Sequence, residues 1–317
     1  MRMLVFLLLL SACAAEPARR CELERAGTLP VFLIGNVPVT VAIINGQTAA
    51  LVLDTGSDAT VLEPRAAARL GIPYSRRSDG LLQVVGRRAR TSQTVLAKLQ
   101  LAEAVLSDVP AVISGQGLQQ PIDGVLGINV LSGFEVDLDA AGGQVTLYRA
   151  RPCAGLPAWS GPYAKLDTQQ QSSGHLLVPA ALDGHALRGT LDTGTGTTTI
   201  GLQAAEDAEL TPEDLRGGRS VAVQGTGPRG LRVWPRRFRL LEVGPTSLQG
   251  PVLNVADLPP EAGDLIIGND YLATRRVWIA LGAGAVFVGA PSAAGREDIV
   301  PMGGAVPSST AAQPRPR

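Results

Sequence analysis

The chain of 317 residues carries 28 basic and 28 acidic side chains, a balance that gives no reason to expect nucleic acid or an anionic membrane surface as a partner. Its length suits two domains of about 100 to 200 residues each. With 37 glycines, only 4% aromatic residues and turn signals at regular spacing, the composition favours short β-strands over long helices.

At the N-terminus, Arg2 precedes an apolar run over 4–10. That run is too short for a transmembrane helix, which needs about 20 apolar residues, but it suits a signal peptide. Leu10-Ser11-Ala12-Cys13 resembles a bacterial lipobox, so 1–13 is read as a lipoprotein signal with Cys13 as the lipidated first residue. Ordinary cleavage near Ala14-Ala15 is the alternative. The absence of Asp after Cys13 resembles an outer-membrane sorting signal. The expectation is an exported chain on the periplasmic face, touching the membrane through its lipid anchor alone. Cys21 and Cys153 then flank the first half of the chain. In an oxidising periplasm they would close a bridge worth roughly 2 to 4 kcal/mol; two unpaired thiols are the alternative.

Pro38 to Leu53 reads as a hairpin turning at Asn45-Gly46, a dipeptide that tolerates the positive φ of two-residue turns. It feeds Asp54-Thr55-Gly56-Ser57. An Ala-rich helical stretch, Glu63 to Leu70, follows and is closed by Gly71 as a C-cap. Next come Gln83-Val84-Val85-Gly86-Arg87-Arg88, the motif Asp123-Gly124-Val125-Leu126-Gly127, and a β-rich segment from Phe134 to Tyr148. The stretch 151–173, rich in Pro, Gly, Gln and Ser, reads as a linker.

After it the order repeats. Asp192 follows Asp54 by 138 residues, and at that offset Leu176 to Leu191 is a second hairpin, turning at Asp183-Gly184 and feeding Asp192-Thr193-Gly194-Thr195. Leu202 to Glu209 is the second helical stretch. Ala222-Val223-Gln224-Gly225-Thr226-Gly227-Pro228 matches the earlier Gly-containing turn, and Gly263-Asp264-Leu265-Ile266-Ile267-Gly268 echoes the apolar-apolar-Gly motif. Val277 to Val288 is again β-rich. The tail 291–317 lacks hydrophobic periodicity and is expected to be disordered.

These motifs, recurring in order over roughly 29–290, resemble the retropepsin-like aspartic peptidases; Asp54-Thr55-Gly56-Ser57-Asp58-Ala59-Thr60-Val61-Leu62 is similar to the retroviral pattern. The resemblance implies an all-β fold of two tandem closed β-barrel lobes, 29–150 and 174–290, related by a pseudo-twofold axis and accompanied by short helices. Val125-Leu126-Gly127 and Ile266-Ile267-Gly268 fit the strand that threads behind each catalytic loop. Retroviral enzymes pair two chains, whereas both lobes lie here in one chain, as in pepsin-like enzymes. A covalent link makes the pairing intramolecular, so a monomer is expected.

The implied function is aspartic endopeptidase, with Asp54 and Asp192 sharing one proton across the lobe interface and activating a water. Thr55 and Thr193 would reach to the opposite loop. Gly56 and Gly194 would let the backbone fold tightly. Ser57 and Thr195 would donate to the outer carboxylate oxygens, lowering the pKa values and giving an acid-leaning optimum. Asp58 matches a retroviral position that helps to bind substrate backbone and pairs with an arginine; its counterpart in the second half is Gly196. Val85 and Gly86, with Gly225 and Gly227, fall where the family places flaps over the substrate. An ordinary hairpin turn is the plainer alternative there.

Other chemistries find little support. Gly225-Thr226-Gly227-Pro228-Arg229-Gly230 formally fits a dinucleotide fingerprint, yet the strand-like Leu231-Arg232-Val233-Trp234-Pro235 follows where a helix is required. His175 and His185 show no zinc spacing and read as surface or hairpin residues, so neither metal nor cofactor is expected. Arginines near both flaps, Arg87, Arg88, Arg90, Arg232, Arg236, Arg237 and Arg239, read as solvated strand faces, with a role toward acidic substrates as the alternative. The partner expected is a peptide or protein substrate. The rival readings are a non-catalytic peptide-binding or scaffold lipoprotein that keeps the cleft, and a dimer pairing its lobes between chains.

Overall fold

The structure is a computed structural model that describes residues 22–290 apart from 76–79, 85–86, 116, 119, 152–155, 209, 212–219 and 224–230. Cys13, Cys21, Cys153, Val85, Gly86, Gly225, Gly227 and the tail 291–317 lie outside the described residues.

Both expected hairpins form. In the first, Val37–Ile44 pairs with Gln47–Leu53 from Val39↔Val52 to Ile44↔Gln47; in the second, Leu176–Leu182 pairs with His185–Leu191 from Leu177↔Thr190 to Leu182↔His185. Asn45 and Gly46 have φ of 50° and 86°, and Asp183 and Gly184 have 52° and 93°. Positive φ at both central residues gives the turn the twist of its strands. The turn side chains also accept from the next hairpin, Asn45 from Lys98 N–H and Asp183 from Leu240 N–H.

Each hairpin's second strand is extended sideways by the apolar-apolar-Gly motif. Leu51, Val52 and Leu53 run parallel to Gly124, Val125 and Leu126, and Gly189, Thr190 and Leu191 run parallel to Leu265, Ile266 and Ile267. A third short strand, Thr60–Leu62 or Thr199–Gly201, pairs antiparallel on the motif's far side, which fixes both ends of each Asp-Thr-Gly loop. The acids of the motifs bind backbone: Asp123 Oδ2 accepts Ala50 N–H at 3.0 Å, and Asp264 Oδ2 accepts Arg188 N–H at 2.7 Å.

The first lobe closes as a barrel, since Val37–Ile44 also pairs with the long strand Arg87–Leu101 through Ile43↔Gln100 and Ile44↔Leu99. In the second lobe the equivalent strand is divided into Leu231–Arg237 and Leu240–Val243, one pairing with Val252–Ala256 and the other with Leu176–Leu182. Opposite the break lie Gly250, at φ 60°, and Pro251, which has no N–H for the ladder. The second lobe therefore completes its ring through the chain at Phe238-Arg239. Inward-facing Leu51, Leu62, Leu99 and Leu126 in one lobe, and Leu182, Ile200, Leu241 and Leu265 in the other, are fully buried.

The helices are shorter than expected: Pro64–Arg69, ended by Gly71 at φ 63°, and Leu202–Asp207. The β-rich segments after each motif become a six-stranded sheet between the lobes. Glu135–Asp139 pairs with Arg276–Ala280 through Leu138↔Val277 and Asp137↔Trp278, joining one lobe to the other. Its covered face carries buried acids with partners: Arg276 donates to both oxygens of Asp137 at 2.8 and 2.6 Å, and Trp278 Nε1 donates to Glu135 at 2.6 Å.

The expected linker is more ordered than its composition suggests. Tyr163–Leu166 adds an edge strand to the interlobe sheet, and Trp159 Nε1 donates to Asp137 at 3.0 Å while its ring lies edge-on to Trp278. The first strand begins at Glu22, before residue 29, and its ladder starts with Glu22↔Arg151. In sequence, Cys21 precedes Glu22 and Cys153 follows Arg151 by two residues. Mass spectrometry of protein prepared under oxidising conditions is expected to find them linked, with reduction lowering stability by roughly 2 to 4 kcal/mol; free thiols in oxidised protein would contradict the bridge.

Candidate active site

The two Asp-Thr-Gly loops meet at the interface, and their symmetry is carried by hydrogen bonds. Thr55 Oγ1 donates to the Leu191 carbonyl at 2.9 Å and accepts Thr193 N–H at 3.1 Å; Thr193 Oγ1 donates to the Leu53 carbonyl at 2.7 Å and accepts Thr55 N–H at 3.1 Å. Both threonines are buried. Each lobe thus supplies the hydroxyl that satisfies the backbone of the other's Asp-Thr-Gly loop.

Within each loop the glycine N–H turns back to the acid, Gly56 to Asp54 at 2.9 Å and Gly194 to Asp192 at 2.7 Å. Glycine is required for a second reason: a Cβ on Gly56 would run into the Asp192 carboxylate, and one on Gly194 into that of Asp54. Each carboxylate thus lies against the glycine of the opposite loop, at the crossing of the two loops. Burial, then the Asp192 charge, holds the Asp54 carboxyl well above the usual carboxylate range, against the lowering effect of Gly56 and Ser57 N–H groups.

The hydroxyl residues that follow behave differently. Thr195 Oγ1 donates to Asp192 Oδ2 at 2.7 Å, as expected, but Ser57 Oγ donates to the Ala59 carbonyl at 2.8 Å. Serine readily bonds backbone two residues along, and here that local partner prevails. The Ser57 hydroxyl therefore does not lower the Asp54 pKa, which removes half the basis for an acid-leaning optimum.

Several supporting residues went unread in the sequence. Thr60 and Thr198 lie 138 residues apart and sit beneath the loops, their hydroxyls accepting Gly127 and Gly268 N–H and donating to Asn129 at 2.9 Å and Asp270 at 2.6 Å. Their recurrence at the common offset was the available signal. Asn269 has no such signal; its amide donates to the Thr193 and Thr195 carbonyls and braces the second loop alone.

Asp58 and Gly196, where the repeat diverges, both lie at lobe contacts. A Cβ on Gly196 would come to 2.8 Å from the Gly35 carbonyl, so a side chain is excluded by the turn of the first lobe. Asp58 meets His175 of the second lobe, Nε2 to Oδ1 at 3.2 Å. His175 is thus at the interface rather than on an outer surface, whereas His185 is in its expected hairpin. Of the flap segments, Gly80–Val84 pairs with Arg87–Leu101, and Val221–Val223 with Leu231–Arg237, as hairpins whose tips lie outside the described residues. Leu231–Arg237 is a strand, as required against the dinucleotide reading.

Two acids brought together on crossed, threonine-clamped loops of a two-lobed β fold define the class of aspartic peptidases. The chain belongs to the Aspartyl protease family, which it matches twice, over 37–130 and 178–271, and its fold is the retropepsin-like one in tandem. The crystal structure of an aspartic proteinase from Irpex lacteus shares this fold with a TM-score of 0.50 and 14% identity, over 84% of this chain and 97% of that one. No curated protein matches the chain.

Proposed function

We propose that the protein is an aspartic endopeptidase in which Asp54 and Asp192 together activate one water molecule for attack on a peptide carbonyl. The observation that carries this reading is the placing of each carboxylate against the opposite loop's glycine, at the centre of the crossed threonines. Like charges so close cannot both persist, so the pair keeps one proton. The proton belongs to the coupled pair, and neither carboxylate alone is assigned as its holder.

The ionised member of the pair takes a proton from the attacking water as the other donates toward the carbonyl oxygen. Collapse of the tetrahedral diol passes a proton to the leaving amine and restores the pair. Water is the nucleophile, so no acyl-enzyme forms, and no cofactor enters the scheme. The two titrations are coupled, and a pH–rate profile reports values of the pair.

The same reading has a monomer, exported and held through Cys13 on the periplasmic face of the outer membrane, acting on peptide or protein substrates; the lipobox and the intramolecular lobe contacts support it. Among the described residues no helix is long and apolar enough to cross a membrane.

The test is incubation of the mature protein with a diverse peptide mixture in ¹⁸O-labelled water from acid to neutral pH. New termini carrying one solvent oxygen, without a covalent enzyme adduct, are expected. Peptide binding without cleavage at any pH would favour a binding module instead.

A further inference from the structure

The repeat that brings the two acids together also sets one arginine on each flap strand. In the first lobe, Arg87–Leu101 makes its first barrel pair at Ser92↔Ile113; in the second, Leu231–Arg237 makes its first at Trp234↔Val255. These rungs are equivalent, because Ile113 runs beside Leu62 and Val255 beside Ile200, which occupy the same place in the two copies. Two residues before each rung the strand has left the barrel and pairs within its own hairpin. Arg90 stands there opposite Leu81, and Arg232 opposite Ala222. Both arginines are exposed.

The residues around them have diverged, Thr91 and Ser92 in one copy answering to Val233 and Trp234 in the other, while the arginine is kept. A side chain that served only to wet a strand face would need no such counterpart. Among the described residues neither guanidinium has an acidic partner; Arg232 donates to the Ser220 hydroxyl at 3.1 Å. Other arginines of the second flap strand are engaged elsewhere, Arg237 with the Gly250 carbonyl at 2.7 Å and Arg239 with Asp183 at 3.8 Å. Neither 80–101 nor 215–241 contains an Asp or Glu, although the chain has 28 of them. Its neutral balance therefore divides into two basic hairpins and an acidic remainder.

We propose that Arg90 and Arg232 select substrates carrying carboxylate side chains on both sides of the cleaved bond, so that the protein acts on acidic peptide segments. The reciprocal threonine bonds relate the lobes by a pseudo-twofold between Asp54 and Asp192, and residues exchanged by it lie on opposite sides of the dyad. A peptide centred on the dyad then has one guanidinium toward each end. The planar fork of arginine matches a carboxylate with two parallel hydrogen bonds. A surface of one sign flanking a cleft also raises the local concentration of substrates of the other. Cleavage rests on the peptidase reading, but the charge preference in binding does not.

The test uses three versions of one peptide, with Glu, Gln or Lys on both sides of a central apolar pair. At low salt the Glu version is expected to exceed the Gln version in kcat/KM by about 3- to 10-fold, the scale of two exposed ion pairs, with the Lys version below both. Salt at about 0.5 M screens charges beyond a few Å and should close the gap. Arg90→Gln with Arg232→Gln should erase the difference between the peptides, and Arg90→Glu with Arg232→Glu should reverse it. Equal cleavage of all three at low salt, or a Glu preference that survives in the double Gln variant, would overturn the proposal. The same peptides, fluorescently labelled, separate this failure from that of the peptidase reading. If none is cleaved, a salt-sensitive Glu preference in binding that the double Gln variant loses supports the arginines and places the failure in the chemistry; binding without preference overturns their role.

Discussion

Replacing Asp54 by Asn, or Asp192 by Asn, is expected to cut peptide hydrolysis by about 100- to 10,000-fold, the usual contribution of a positioned acid or base. The two losses should not add, because each carboxylate works only with the other. The fold should survive, and at Asp54 pH reveals why. Its carboxyl is raised by burial and by Asp192, so its proton is held more tightly in the folded chain than in the unfolded one. The associated stability is complete below the unfolded value near 3.9 and is lost as pH rises through the folded value. Asn keeps the shape and cannot ionise. Asp54→Asn should therefore match or exceed the parent's thermal stability at neutral pH, with the gain disappearing in acid. Unfolding curves across pH, beside peptide cleavage, check both halves.

The second large effect is expected at the threonine clamp. Thr193→Val removes the donor to the Leu53 carbonyl and the acceptor of Thr55 N–H. Both partners belong to the buried centre of the interface, and an unsatisfied buried group costs about 1 to 3 kcal/mol, so one substitution should destabilise by about 2 to 4 kcal/mol. Thr55→Val should do the same through Leu191 and Thr193. Because the two hydroxyls share one network, the double variant should lose less than the sum. Activity should fall more steeply than stability, since a carboxylate displaced by about 1 Å can lose 100-fold in rate. Thr193→Ser retains the hydroxyl and is expected to recover most of both losses. Denaturant unfolding and cleavage rates for the four variants measure this.

Much of the fold was legible in the sequence because it is written twice. The hairpin turns Asn45-Gly46 and Asp183-Gly184 declare a backbone requirement that few residues meet, and the apolar runs 51–53 and 265–267 could only be buried strands. What the sequence concealed lies where the lobes meet. Ser57 and Thr195 are the same chemistry at the same repeat position, yet one bonds Ala59 and the other Asp192. His175 has no local pattern because its partner, Asp58, comes from the other lobe. The stretch 151–173 has a linker's composition, but Tyr163–Leu166 finds a free sheet edge in Ala285–Gly289 and pairs with it. At the first helix, periodicity continues past Arg69, while Leu70 is the C-cap and Gly71, at φ 63°, turns the chain away.

The central claim is that Asp54 and Asp192 retain one proton between them. Carbon-13 NMR of the aspartate carboxyl groups, assigned with the two Asn variants, measures it directly. The account predicts one proton still held on the pair well above the pH at which exposed aspartates have ionised, and released to ordinary behaviour when either partner is replaced. Both carboxyls titrating independently near 3.9 would contradict it.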